Sequence, residues 1–167
     1  MIVVSLGSNL SSSFGDRFHN IDRAISLLLE HNIKLVKKSS FYETPSYPNK
    51  KKPKFINVVI SILTTMNPQE FASLLISIEE KIERTRDKKN DPRTCDIDII
   101  DFNGEILDFY YKSLNFSVPH ERIKERSFVL YPLKEILPDW KHPQTNESIN
   151  FLIQNLDSEK KKSILKL

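Results

Sequence analysis

The sequence predicts an α+β fold with a mostly antiparallel sheet, helices on one face and C-terminal additions. Through residue 103 the periodicity changes in the order strand, helix, strand, strand, helix, strand. The helical segments each keep one apolar stripe, whereas the strand segments alternate between apolar and polar residues. This order is the split βαβ, or ferredoxin-like, arrangement. Its second sheet face stays free for a ligand or for the C-terminal elements.

The first part of the chain supplies strand signals around an amphipathic helix. Residues 2–6 alternate as a strand, and a helix is expected over residues 15–31. Asp16 is suited to cap the start of this helix, and Asn32 is suited to the left-handed conformation at its end. Residues 33–43 then have the composition of a strand.

The middle of the chain contains the clearest strand and the clearest helix start. Residues 44–53 hold three prolines and a lysine run, so we expect a loop, and a loop this long is often functional. Residues 55–64 alternate with one fully apolar face. Asn67 begins a capping box, with Pro at the first helical position and Glu at the third. The polar residues 87–93 lead into a strand that stops near residue 103.

The remainder of the chain has a weaker pattern. Extended pieces are expected at residues 105–108 and 114–118, followed by a helix over residues 127–137. Residues 139–167 show little periodicity, so we interpret them as a C-terminal extension of one domain spanning residues 1–167.

Composition limits the classes of function. A chain of 167 residues with 39% hydrophobic and 28% charged residues is typical of a globular protein that buries a core. Its net charge of +3 is too weak to indicate a nucleic-acid partner. The single cysteine favours a reducing compartment, and neither a signal peptide nor an apolar run of ~20 residues is evident. We expect a cytoplasmic monomer without nucleic-acid or membrane partners.

Two acidic side chains on the strand that follows Cys95 are the strongest functional signal. Because alternate side chains of a strand share a face, Asp96 and Asp98 point together, opposite Ile97 and Ile99. Their Cα atoms are expected roughly 6.5–7 Å apart, so the carboxylates can bracket one or two hard cations such as Mg²⁺. The alternative is a solvated sheet face whose acids pair with lysines.

Arginines flank this pair. Arg93 precedes Asp96 by three residues, and Arg84 and Arg86 follow the helix that begins at Asn67. Guanidinium forks match phosphate oxygens, which suggests chemistry on a polyphosphate. Alternatively, Arg84 and Arg86 only favour the C-terminal end of that helix.

Four other residues leave two interpretations open. Phe55 and Asn57 could stack a flat heterocycle and read its edge, or Phe55 packs under the proline-rich loop. His120 is suited to a turn or to a phosphate, and Phe128 is more often a core residue.

Together these stretches resemble the 6-hydroxymethyl-7,8-dihydropterin pyrophosphokinases of the folate pathway. The most specific stretch is Pro92-Arg93-Thr94-Cys95-Asp96-Ile97-Asp98-Ile99-Ile100, against a family signature of Pro-Arg-x-x-Asp-aliphatic-Asp-aliphatic-aliphatic. The resemblance covers about residues 2–138 and implies the same ferredoxin-like fold. Five shorter stretches support it in the same order: Gly7-Ser8-Asn9-Leu10; Ser40-Phe41-Tyr42-Glu43-Thr44-Pro45; Phe55-Ile56-Asn57; Ile78-Glu79 with Arg84 and Arg86; and Val118-Pro119-His120 with Arg126 and Phe128.

The resemblance implies transfer of a pyrophosphoryl group from ATP to the hydroxymethyl group of the pterin, with release of AMP. Asp96 and Asp98 would hold two Mg²⁺ ions, one bridging the α- and β-phosphates and one bridging the β- and γ-phosphates and touching the substrate hydroxyl. Arg84 and Arg93 would neutralise phosphate charge as the bond to AMP breaks. These four residues are the implied catalytic set.

The resemblance also assigns the binding residues. The pterin would stack between Phe55 and Phe128, beside Asp96, with Asn57 reading its pyrimidine edge. The backbone that would complete this slot lies near Thr44, Pro45 and Tyr47. The positions that match the nucleotide site are Glu79, Arg84, Arg93, Ile99, Ser117, His120 and Arg126.

Two other classes of function are weighed against this one. A non-catalytic small-molecule-binding module on the same fold would not need Asp96, Asp98 and Arg93 together. An RNA-binding sheet would need paired aromatics on its central strands, whereas carboxylates there would repel phosphate.

Overall fold

The computed structural model describes residues 1–85, 91–112 and 114–167, and its centre is a six-stranded antiparallel sheet. In chain order the strands are β1 Ile2–Ser8, β2 Lys34–Lys38, β3 Tyr42–Thr44, β4 Phe55–Leu63, β5 Asp96–Phe102, β6 Leu107–Tyr111, β7 Leu114–Val118 and β8 Leu165–Lys166. The spatial order is β5, β1, β4, β3, β8, and β2 also pairs with β4. Strands β6 and β7 form a separate two-stranded sheet. The predicted antiparallel arrangement is confirmed.

The two long N-terminal helices begin where the sequence predicts. The helices are α1 Arg17–Leu29, α2 Pro68–Lys81, α3 Ser127–Ile136, α4 Ile149–Gln154 and α5 Ser158–Lys162. The Asp16 side chain accepts hydrogen bonds from two backbone N–H groups of the first turn of α1, and Asn67 forms the capping box with Glu70. Asn32 has the expected positive φ, at 57°.

Each face of the sheet packs against different helices. On one face, the apolar side of β4 and the inward side chains of β1 and β5 form a core with α1 and α2. On the other face, α3 and α4 pack over Val3, Val59 and Ile100. The C-terminal additions therefore cover part of the second face. None of the helices in the described part of the chain has the length and apolar character needed to cross a membrane.

Two predicted elements differ from the structure. The strand expected over residues 33–43 is two strands, because Ser39 bonds to Val59 through both its backbone and its hydroxyl and separates β2 from β3. Strand β6 begins later than residue 105, because a turn after β5 bonds Glu105 to Phe102.

The C-terminal extension is more ordered than its periodicity predicts. It forms α4, α5 and β8, and its Trp140 donates a hydrogen bond from Nε1 to the buried carboxylate of Asp101 at 2.7 Å. Helices of five or six residues are too short to show a repeat, and β8 is specified by its partner β3 rather than by its own pattern.

Candidate active site

The register of the sheet places the acidic pair and Asn57 in one neighbourhood. Asp96 on β5 lies opposite Gly7 on β1, and Gly7 lies opposite Asn57 on β4. Directly opposed residues share a sheet face, so all three face away from α1 and α2. A Cβ atom at Gly7 would lie 3.2 Å from Asn57 Oδ1 and 3.6 Å from Phe55 Cδ1. The absence of a side chain at Gly7 therefore leaves space between the carboxylates and Asn57.

Asp96 is held between two arginines. Its Oδ1 lies 2.8 Å from Arg84 and its Oδ2 lies 2.6 Å from Arg93. Burial favours the protonated carboxyl, but the charges of Arg93 and Arg84 outweigh it and lower the pKa of Asp96 below its ordinary value. Arg84 also pairs with the buried Glu79, which accepts a hydrogen bond from the backbone N–H of Ile97 at 2.8 Å. The site is thus a network of ionised groups.

Asp98 has a separate cationic partner. Its Oδ2 lies 2.6 Å from a guanidinium nitrogen of Arg126, whose Cζ lies 5.5 Å from the centre of the Phe128 ring. Arg93 lies over Phe55 in a similar way, with 5.1 Å between its Cζ and the ring centre. Each of the two rings that were predicted to stack a ligand is therefore covered by its own arginine. Each of these arginines also pairs with one of the two carboxylates that were predicted to bind metal.

A cavity of about 280 Å³ opens beside the two carboxylates. Its lining includes seven of the predicted site residues, namely Glu79, Arg84, Asp96, Asp98, Ile99, Ser117 and His120. Sequence reasoning did not place Leu75, Ile76, Leu114 or Phe116 there. Leu75 belongs to the apolar stripe of α2 that is typical of core, and the order of residues in β7 carries no separate signal.

Asn57 and Thr44, two of the predicted ring-binding residues, lie across Gly7 from Asp96. Asn57 Nδ2 donates hydrogen bonds to Thr44 Oγ1 at 3.0 Å and to the Tyr42 carbonyl at 3.3 Å. Both amide hydrogens are therefore used, and Oδ1 is the acceptor that remains for a ligand. Thr44 is buried and Pro45 is half-buried, whereas Tyr47 is 72% exposed.

Asn9 joins the two loops beside the site. Its Oδ1 accepts a hydrogen bond from the Arg93 N–H at 2.7 Å, and its own N–H donates to the Arg93 carbonyl at 3.1 Å. Its Nδ2 donates to the Pro53 carbonyl at 3.0 Å and to Ser46 Oγ at 3.2 Å. In the sequence Asn9 only formed part of the stretch Gly7-Ser8-Asn9-Leu10 that supports the family resemblance. Its role between the loops could not be predicted, because none of these partners is a sequence neighbour.

A family model described as 7,8-dihydro-6-hydroxymethylpterin-pyrophosphokinase (HPPK) matches residues 3–138. The chain belongs to the HPPK family. The matched segment contains every predicted site residue, from Thr44 to Phe128, and it ends before α4. The resemblance to these pyrophosphokinases that the sequence indicated is confirmed.

Relatives in the HPPK family match over most of the chain. The 2-amino-4-hydroxy-6-hydroxymethyldihydropteridine pyrophosphokinase of Bacillus subtilis is 39% identical over 134 residues, which are 80% of this chain and 75% of that protein. The enzyme of the same name from Synechocystis is 33% identical over 156 residues, which are 93% of this chain and 75% of that protein.

Solved structures that contain an HPPK domain share the fold. One Plasmodium falciparum HPPK-DHPS chain, crystallised with pterin and p-hydroxybenzoate, has a TM-score of 0.73 at 15% identity. The likeness covers 99% of this chain but only 46% of that one, so this chain spans less than half of the HPPK-DHPS chain. At that identity the likeness concerns the fold alone, and it confirms the ferredoxin-like prediction.

The donor set of this HPPK-family site is suited to a hard cation. Asp96 and Asp98 are both ionisable oxygen donors on one face of β5. Among residues 1–85, 91–112 and 114–167 no group of three or more His, Cys, Asp or Glu side chains is placed to hold a metal ion. Two carboxylates completed by phosphate oxygens and water are the arrangement that Mg²⁺ typically adopts.

The loop before β5 contacts the proline-rich loop through charge. Asp91 Oδ1 lies 3.2 Å from Lys52 Nζ, so the acidic residue beside the HPPK signature has a cationic partner. Arg86, which was predicted together with Arg84 to face phosphate, lies outside the described residues.

Protein stability is expected to decrease as the pH falls through about 6.5. Burial lowers the pKa of His120, against the opposing charge of Asp98, and burial likewise lowers the pKa of His142. Both imidazoles stay neutral in the folded state where the unfolded chain already binds protons, so acid favours unfolding. Urea denaturation between pH 7.5 and 5.5 measures this slope, and His120→Gln should reduce it. If the unfolding free energy of His120→Gln depended on pH as steeply as that of the wild type, the lowered pKa of His120 would be contradicted.

Proposed function

We propose that this chain transfers the pyrophosphoryl group of ATP to the hydroxymethyl group of 6-hydroxymethyl-7,8-dihydropterin and releases AMP. The observation that carries the proposal is the row of Asp96, Gly7 and Asn57 across three strands. It sets an ionised carboxylate–arginine network beside an amide acceptor on one face of an HPPK-family sheet. Phosphate chemistry on one side and recognition of a heterocycle on the other are both required for this reaction.

The cavity beside β5 would receive the nucleotide. Its volume of about 280 Å³ is near the lower limit of small-molecule sites, roughly 300 Å³. ATP would therefore extend beyond it, toward Arg93 and Arg126, which pair with the two carboxylates at its edge. His120 Nδ1 accepts a hydrogen bond from the Arg122 N–H at 3.0 Å, so the neutral ring carries its proton on Nε2 and can donate to the ligand.

Binding of a polyphosphate would exchange one set of ion pairs for another. The side-chain Nε atoms of Arg84 and Arg93 are buried and have no hydrogen-bond partner among the described residues. Phosphate oxygens can accept from these donors and compete with Asp96 for both guanidinium groups. As the arginines turn to phosphate, the oxygens of Asp96 and Asp98 become available as ligands. Two Mg²⁺ ions held there would neutralise phosphate charge and activate the pterin hydroxyl.

The same exchange would open the pterin subsite. Arg93 and Arg126 cover the rings of Phe55 and Phe128, so movement of these arginines toward phosphate exposes aromatic surface for stacking. Asn57 Oδ1 would then accept a hydrogen bond from a ring N–H of the pterin. ATP would therefore prepare the site for the pterin.

AMP formation tests the proposed function. We expect the purified chain to release AMP only when ATP, Mg²⁺ and the hydroxymethyl dihydropterin are all present. Omission of the pterin or chelation of Mg²⁺ provides the controls, and chromatographic separation of AMP from ADP provides the measurement. Absence of AMP with all three components would contradict the catalytic role, and pterin binding without turnover would favour a non-catalytic binding module. The cytoplasmic location and the monomeric state stay predictions.

A further inference from the structure

The C-terminal strand β8 extends the sheet beside the proposed pterin subsite. It pairs with β3 in antiparallel register, with Glu43 opposite Leu165 and Tyr42 opposite Lys166. The N–H of Leu167 donates a hydrogen bond to the Phe41 carbonyl at 2.9 Å. Strand β3 has only three residues, so its partners on both sides determine where it lies.

Glu135 of α3 holds the same short strand from one face of the sheet. Its Oε2 accepts from the Tyr42 hydroxyl at 2.7 Å, and its Oε1 accepts from the Ser40 hydroxyl at 2.8 Å and the Ser40 N–H at 3.1 Å. Lys166 Nζ of β8 lies 3.4 Å from Oε1. Partial burial favours protonation, but the hydrogen bonds from Tyr42 and Ser40 lower the pKa of Glu135. The ionised carboxylate therefore links α3, β3 and β8.

Strand β3 in turn orients the Asn57 amide. The two acceptors of Asn57 Nδ2 are the Tyr42 carbonyl and Thr44 Oγ1, both on β3. These bonds require the NH₂ group to point toward β3 and leave Oδ1 toward Gly7. If β3 moved, the amide could rotate and present a donor where the pterin also presents donors. The orientation that accepts a ring N–H therefore depends on β3.

We propose that Glu135 and strand β8 are positioning elements of the pterin subsite, which they serve by fixing β3 and hence the Asn57 amide. The inference rests on the proposed function and deepens it. It concerns binding of the pterin and leaves the carboxylate–arginine network and the nucleotide cavity unaffected, because neither contains Glu135 or a residue of β8.

The test compares Michaelis constants for the two substrates. Glu135→Ala should raise the KM for the pterin about tenfold, because it removes hydrogen bonds to a charged group, which are stronger than those between neutral groups. The KM for ATP should change by less than about twofold. The matched control is Glu147→Ala, which removes a carboxylate of similar exposure, 29% against 26%, that pairs with Lys124 away from β3.

A double-mutant cycle separates positioning from loss of folding. Tyr42→Phe removes the donor and Glu135→Ala removes the acceptor of the 2.7 Å hydrogen bond, so their effects on the pterin KM should be less than additive when combined. Leu167→Pro removes the N–H that bonds to Phe41 and should raise the same KM. Thermal unfolding of each variant identifies any that fails to fold.

The outcomes distinguish the two proposals. An inactive wild-type chain would overturn the proposed function. Active variants whose pterin KM is unchanged, or whose two KM values rise together, would overturn the positioning role and leave the proposed function standing.

Discussion

Asp98→Ala is expected to reduce AMP-forming turnover by at least about 10²-fold while the fold stays intact. Asp98 faces the open side of β5, and it is one of the two oxygen donors proposed for Mg²⁺. Its removal takes away charge stabilisation that is needed at the transferred group. Its partner Arg126 is 19% exposed and can turn to solvent or phosphate, so little stability should be lost.

The affinity for metal-free ATP should not fall with turnover in the Asp98→Ala variant. A carboxylate beside a polyphosphate repels it, so Asp98→Ala should bind metal-free ATP at least as tightly as the wild type. Equilibrium titration in the presence of a chelator measures this affinity. Asp22→Ala is the matched control, because Asp22 also forms an ion pair, at 2.7 Å with Lys38, but lies on α1. Near-normal turnover of Asp98→Ala would rule out the metal assignment.

The parts of the fold that could be predicted are those encoded locally. The alternation in β1, β4 and β5 and the caps of α1 and α2 depend on residues a few positions apart, and the structure has them as expected. The division of residues 33–43 into β2 and β3 could not be predicted, because it depends on Ser39 bonding to Val59 on another strand. Strand β8 was not predicted for the same reason, because its partner β3 lies more than 120 positions earlier.

In the candidate site, too, only the features that are encoded locally could be predicted. A shared face for Asp96 and Asp98 follows from the two-residue period of a strand. The pairing of each acid with its arginine could not be predicted from this period. Arg126 approaches Asp98 from a different part of the chain, and Asn9 binds Arg93 across a separation of 84 residues. The orientation of the Asn57 amide also depends on Tyr42 and Thr44, which are brought to it by sheet pairing.

The two arginines that contact Asp96 are expected to differ in their effect on stability. Arg84 is 11% exposed and serves two carboxylates, Glu79 and Asp96. Arg84→Met removes that shared cation from buried acids and should lower the unfolding free energy by about 3 kcal/mol. Arg93 is 25% exposed, and among the described residues Asp96 is its one carboxylate partner, so Arg93→Met should lower the unfolding free energy by no more than about 1 kcal/mol.

Both variants should nevertheless lose turnover by about 10²-fold, because each removes a cation that would neutralise phosphate charge as AMP leaves. Urea denaturation and AMP release, measured on the same preparations, separate the two effects. Arg84→Lys restores a positive charge but not the planar fork, so it should recover part of the stability and little of the turnover. Equal stability losses for Arg84→Met and Arg93→Met would contradict the structural role of Arg84. Full turnover in Arg93→Met would show that the arginine beside Asp96 and Phe55 does not act on the transferred phosphates.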